Sequence, residues 1–87
     1  MSAEYKLEIL PSAQKELRSL HDPLFKRIAK QLRSLALDPR PRGCRKLVGT
    51  ISDYRIRVGD YRIAYEVDDS TRRVVVYRIR HRREVYQ

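Results

Sequence analysis

Cysteine is almost missing from this 87-residue chain. Cys44 stands alone, so no disulfide can form within it. Its possible companions are His21 and His81, and no Cys/His group has the spacing of a structural zinc site. The three glycines build no glycine-rich loop of the kind that cradles a nucleotide. Acidic pairs are rare as well. Asp68-Asp69 reads as a turn rather than a metal site, and no Ser/His/Asp arrangement can be assembled. The longest purely apolar run, Val74 to Tyr77, is far too short to span a bilayer. The N-terminus carries no apolar stretch of signal-peptide length. The expectation is a cytoplasmic protein with no metal, no cofactor and no membrane partner. Its length fits one domain, residues 1–87. A domain this small buries only about 60–65% of its unfolded surface. Any chemistry therefore belongs on an open face or groove.

Positive charge is abundant. Twenty Lys and Arg against eleven Asp and Glu leave a net +9, and most of the cations are arginines. Arginine stays charged and offers a planar fork that matches phosphate oxygens. A sequence pI near 10.2 fits a polyanionic partner, nucleic acid or an acidic protein. The charge is also uneven. Residues 1–41 carry eight basic and five acidic groups (+3), and residues 42–87 carry twelve and six (+6).

Hydrophobic spacing predicts β-α-α-β-β-β. Glu4 to Leu10 alternates, with Tyr5, Leu7 and Ile9 on one side, and reads as a half-buried strand. Pro11-Ser12 ends it, with Ser12 placed to cap a helix in which Ala13, Leu17 and Leu20 share a face. Asp22 is placed to cap a second helix with Pro23 at its first position. There Leu24, Ile28, Leu32 and Leu35 form an apolar stripe. Residues 38–50 form a basic loop, punctuated by Pro39, Pro41 and Gly43 and anchored by Leu47 and Val48. Three strands follow. Tyr54 to Val58 and Tyr61 to Val67 alternate, and Arg73 to Arg80 contains Val74-Val75-Val76, a run that suggests burial on both faces. Short links favour antiparallel hairpins. The predicted class is α+β: a mostly antiparallel four-stranded sheet with an N-terminal helix hairpin on one face.

The other face of that sheet is left free for arginines. Arg55 and Arg57 are two apart on a strand and project together. Arg62 stands on the adjoining strand, also out of step with its apolar neighbours. Two readings fit. Either these are ordinary solvated arginines, neutralised by Asp53, Glu66 and Glu84, or they are fixed cations for a phosphate that gathers charge during reaction. Tyr86 either closes the edge of the core or stacks on a base. His81 is either an exposed polar residue or a proton carrier. A nuclease built on this chain would work without metal, through Arg, Tyr and His81.

Three segments resemble the RelE/ParE toxin superfamily. They are Arg45-Lys46-Leu47-Val48-Gly49, the run Tyr54-Arg55-Ile56-Arg57-Val58-Gly59-Asp60-Tyr61-Arg62-Ile63-Ala64-Tyr65-Glu66-Val67, and His81-Arg82-Arg83-Glu84-Val85-Tyr86. The ending is more RelE-like than ParE-like. The resemblance implies a microbial RNase-like fold and a toxin of a type II toxin–antitoxin pair, blocked by a cognate antitoxin. It implies a ribosome-dependent endoribonuclease, an mRNA interferase that cuts message in the ribosomal A site beside 16S rRNA. In that reaction a 2′-hydroxyl attacks the adjacent phosphate. By position, Arg55, Arg57, Arg62, Arg82 and Tyr86 match catalytic residues, with Arg83 an alternative to Arg82. Arg45, Lys46, His81 and Arg83 are expected to contact substrate. The family's best-known member has lysines where this chain has Arg55 and Arg57. Arginine, with a pKa above about 12, is a poor general base. Arg57 would then act by charge alone, with His81 or Tyr86 taking the proton. The alternative is a ParE-like toxin that poisons DNA gyrase by binding and cuts nothing, and a third reading is a nuclease-dead protein that only binds its antitoxin.

Overall fold

The computed structural model describes residues 4–85, with side chains through Arg83. Alternation over Lys6–Ile9 gives strand β1, and Pro11–Arg18 gives helix α1. The second apolar stripe lies on α2, Leu24–Leu37. Ile28, Leu32 and Leu35 recur at helical spacing and are buried, whereas Lys26, Arg27, Lys30 and Arg33 stay exposed. The basic loop follows, and then β2 (Arg45–Lys46), β3 (Asp53–Val58), β4 (Tyr61–Asp68), β5 (Arg73–His81) and a short α3 (Arg82–Val85).

One sheet runs β1-β5-β4-β3-β2. It has five strands rather than four, because the two residues of β2 pair with Tyr54 and Arg55 of β3. β1 lies parallel to β5, and the remaining pairs are antiparallel. Both larger helices cover one face. Ile56, Val58, Ile63, Tyr65, Val67, Val74, Val76 and Ile79 point toward them and join Ala13, Ile28, Leu32 and Leu35 in one core. Burying such side chains contributes roughly 1.5–3 kcal/mol each before chain entropy is counted.

Three local expectations need correction. Ser12 and Asp22 do not cap. α1 starts after Leu10 and α2 after Pro23, neither with a side-chain cap bond. Ser12 Oγ instead reaches the Tyr77 carbonyl at 3.5 Å. Val48 anchors nothing, since it stands exposed at the tip of the β2–β3 turn, beside Gly49 at φ +84°. Val75 is half-buried and, of the three valines, only Val74 and Val76 are fully enclosed, because neither α1 nor α2 covers the second face of the sheet.

Polar contacts fasten the basic loop to the sheet. Arg40 donates to both carboxylate oxygens of Asp69, at 3.2 and 2.8 Å, and from Nε to the Tyr54 hydroxyl at 3.0 Å. The Tyr5 hydroxyl donates to the same Asp69 at 2.5 Å. The guanidinium hydrogen bond, with that of Tyr5, holds the Asp69 carboxyl below its usual range. Tyr65 is buried and donates to the Pro39 carbonyl at 2.8 Å, and burial pushes its phenol up. Arg40 is thus a structural cation that holds loop to sheet.

Candidate functional site

Strand register assembles the helix-free face. Arg57 lies opposite Arg62, and Arg62 opposite Arg80. In the next row Arg55 lies opposite Ala64, and Ala64 opposite Arg78. Opposed residues of antiparallel strands share a face, with Cβ atoms about 4.5–5.5 Å apart. Two rows of three positions therefore hold five arginines and one alanine. The predicted trio Arg55, Arg57 and Arg62 is brought together. Arg78 and Arg80, which the sequence reading did not single out, complete it.

A register shift in β5 adds a tyrosine to this face. The pairing runs from Ala64↔Arg78 to Tyr65↔Val76 and skips Tyr77. Such a bulge turns an extra side chain to one side of the sheet. Val76 and Ile79 point inward, so Tyr77 and Arg78 both point outward. The Tyr77 hydroxyl donates to Asp53 Oδ2 at 2.8 Å. Burial, reinforced by that hydrogen bond, pushes the phenol up to about 12. At neutral pH it is a hydrogen-bond donor and not a base. A recess of about 170 Å³ opens here, lined by Leu47, Arg55, Arg62, Ala64, Tyr77 and Arg78. The small side chain of Ala64 leaves it open.

Arg62 is the centre of the arrangement. It is 9% exposed, and its Nη1 is buried with no hydrogen-bond partner among the described residues. An unsatisfied buried donor costs about 1–3 kcal/mol. Neighbouring cations add to the cost: two charges about 6 Å apart repel by about 1–3 kcal/mol at effective dielectrics of 20 to 80. Among the described residues, neutralisation from within the fold is slight. Glu16 of α1 engages Arg80 Nε at 2.9 Å, and Asp53 is engaged by Tyr77. Among the described residues, Arg55, Arg57, Arg62 and Arg78 make no ion pair within 4.0 Å. Glu66 lies on the same face, opposite Asp53 and exposed, and the side chain of Glu84 lies outside the described residues.

The other predicted residues scatter around this centre. Arg45 pairs opposite Arg55, and Lys46 opposite Tyr54, so the two diverge in face. Arg45 also lines a groove of about 410 Å³ with Gln31, Arg42 and Arg57. His81 pairs opposite Tyr61 on the helix side and meets that ring edge-on at 5.4 Å, so it does not join the arginine rows. Its Nδ1 accepts the Arg83 N–H at 3.2 Å. The backbone N–H of Arg82 donates to the Asp60 carbonyl at 2.7 Å, and its Nε is 4.0 Å from the Asp60 carboxylate. This ties the tail to the β3–β4 turn. Arg83 is exposed, and Tyr86 lies outside the described residues.

A family model described as "ParE toxin of type II toxin-antitoxin system, parDE" matches residues 7–86. The chain belongs to the RelE/ParE toxin superfamily. Among solved structures, the chain is similar to the toxin of the archaeal RelE–RelB complex from Pyrococcus horikoshii OT3. That toxin shares 30% identity at a TM-score of 0.82, over 91% of this chain and 96% of the other. The isolated E. coli RelE toxin shares 31% at 0.78, over 94% and 90%. The RelB–RelE complex from Methanococcus jannaschii shares 27% at 0.76, over 92% and 95%. No curated protein matches the sequence. The family settles the coarse role: this is a toxin of the type II toxin–antitoxin class. Among the described residues no helix is long and apolar enough to cross a membrane.

Proposed function

We propose that this toxin is a metal-independent endoribonuclease that cleaves mRNA in the ribosomal A site. The observation that carries the proposal is Arg62, buried in the middle of an arginine row and, among the described residues, short of an acceptor. That arrangement costs stability in the free protein. It is compensated when a phosphodiester docks and most fully when the phosphorus becomes pentacoordinate and gathers charge.

In the proposed reaction the 2′-oxygen bonds to the adjacent phosphorus and the bond to the 5′-oxygen breaks. A cyclic phosphate and a 5′-hydroxyl remain. The proton leaves the 2′-oxygen and one is delivered to the departing 5′-oxygen. Arg62 and Arg57 stabilise the phosphoryl oxygens by charge, and Arg55 and Arg80 extend that field. Arg82 or Arg83, with Tyr86, serves from the tail. Arg45 and Lys46 approach flanking nucleotides from β2. His81 stands on the other face, which favours Tyr86 over His81 for the proton from the 2′-oxygen. By analogy with the RelE–RelB complexes, the partner is an antitoxin, and an acidic segment of it would cover these arginines.

The matching family model is described by ParE, which favours a second reading, a toxin that binds DNA gyrase and cuts nothing. Primer extension on mRNA after induction separates the two. Cuts at codon positions that disappear in Arg62→Ala are expected. DNA breaks with intact message would overturn the ribonuclease reading.

A further inference from the structure

The recess beside Arg62 is poorly matched to a phosphate alone. A phosphate is hydrated on every side and gains little from apolar walls. Yet Leu47, Ala64 and the Tyr77 ring form much of this lining, with Arg55, Arg62 and Arg78 around them. A nucleobase has the complementary character: two apolar faces and a polar edge. The tyrosine is also fixed in place. The β5 bulge turns it outward, and its hydroxyl is held by Asp53 at 2.8 Å, so its ring needs little ordering when a base arrives.

We propose that Tyr77 is a base-stacking residue. In this view the recess walled by Leu47, Ala64 and Tyr77 seats one nucleobase next to the phosphate held by Arg62. The inference rests on the RNA-binding reading above and adds a subsite to it. It divides the face into a charged part, the row Arg57–Arg62–Arg80, which grips backbone whatever the sequence, and an apolar slot that grips one base. The slot is shaped by a small residue, since a larger side chain at position 64 would fill it. The bulged tyrosine also gives the face a rigid aromatic surface independent of the tail.

The test uses fluorescein-labelled RNA octamers, 2′-O-methylated to prevent cleavage, with one abasic site walked along the strand. Binding to the purified full chain is read by anisotropy. One abasic position is expected to weaken binding by about tenfold, the value typical of a lost base–aromatic stack. Tyr77→Phe keeps that penalty, because the ring remains. Tyr77→Leu abolishes it, and so does Ala64→Leu, which closes the slot without touching the tyrosine. Arg62→Ala weakens every octamer alike and lowers the salt slope by about one. A folded Tyr77→Leu or Ala64→Leu variant that retains the full abasic penalty would overturn the stacking assignment, as would a wild type with no penalty at any position. If Arg62→Ala leaves binding and its salt slope unchanged, the phosphate reading fails instead, whatever Tyr77 does.

Discussion

Replacing Arg62 by methionine should make the folded toxin more stable while removing its activity. Methionine is unbranched and fills much of the volume of an arginine stem. The substitution removes a buried donor that lacks a partner among the described residues, which relieves about 1–3 kcal/mol. It also removes repulsion toward Arg57 and Arg80, about 1 kcal/mol from each when screened. Arg80 is already partly offset by Glu16, and flexible guanidinium heads splay apart, so about 2 kcal/mol is the expected net gain. For a domain of this size that corresponds to a rise in melting temperature of roughly 10 °C. Thermal unfolding followed by far-ultraviolet circular dichroism, at low and moderate salt, measures it. The gain should shrink as salt screens the wild type. Sulfate should raise the wild-type midpoint more than that of the variant, because an anion supplies the missing acceptor. A methionine variant that melts at or below the wild-type temperature would refute the reasoning. It would mean that Arg62 is satisfied in the free protein and that the row stores no unfavourable energy for a ligand to relieve.

Three further outcomes follow from the fold. Asp69 titrates below its usual range in the folded chain, so its contribution is present above pH about 4 and is lost as pH falls through the lowered value. An Asp69→Asn variant should therefore show a flatter dependence of melting temperature on pH between 5 and 3. Glu16→Ala leaves the Ile79 N–H without its 2.7 Å acceptor and frees Arg80, and it should lower stability by about 1–3 kcal/mol in urea unfolding. Leu35 is fully enclosed between α2 and the sheet, so Leu35→Ala should cost about 2–5 kcal/mol by the same measurement, enough to leave the domain marginal.

What could be read from the chain followed its periodicities. The stripe at residues 28, 32 and 35 and the alternation of Tyr54-Arg55-Ile56-Arg57-Val58 each have one physical solution, so helix, strand and arginine face were legible together. The parity of β5 was not. Val74-Val75-Val76 gives no alternation to follow, and the bulge at Tyr77 shifts the residues beyond it by one place. Arg78 and Arg80 were therefore passed over, although the change from two to three in the spacing Val74, Val76, Ile79 was a usable signal. The same shift sends His81 to the helix side. β2 was missed because two residues carry no periodicity, and the parallel pairing of β1 with β5 joins positions more than sixty residues apart. The buried state of Arg62 depends on neighbours from three strands, which no local pattern reports.

The junction between β1 and α1 has a consequence for how the folded chain behaves in a crowd. β1 ends at Ile9, opposite Val76, while β5 runs on to His81. Left bare, that stretch would offer free backbone donors and acceptors to any extended peptide. The helix turns across it instead. Glu16 takes the Ile79 N–H and Ser12 reaches the Tyr77 carbonyl, so side chains occupy the places a foreign strand would need. A carboxylate thus guards this margin of the sheet against self-association, and it does so from a helix whose first duty is to cover the core.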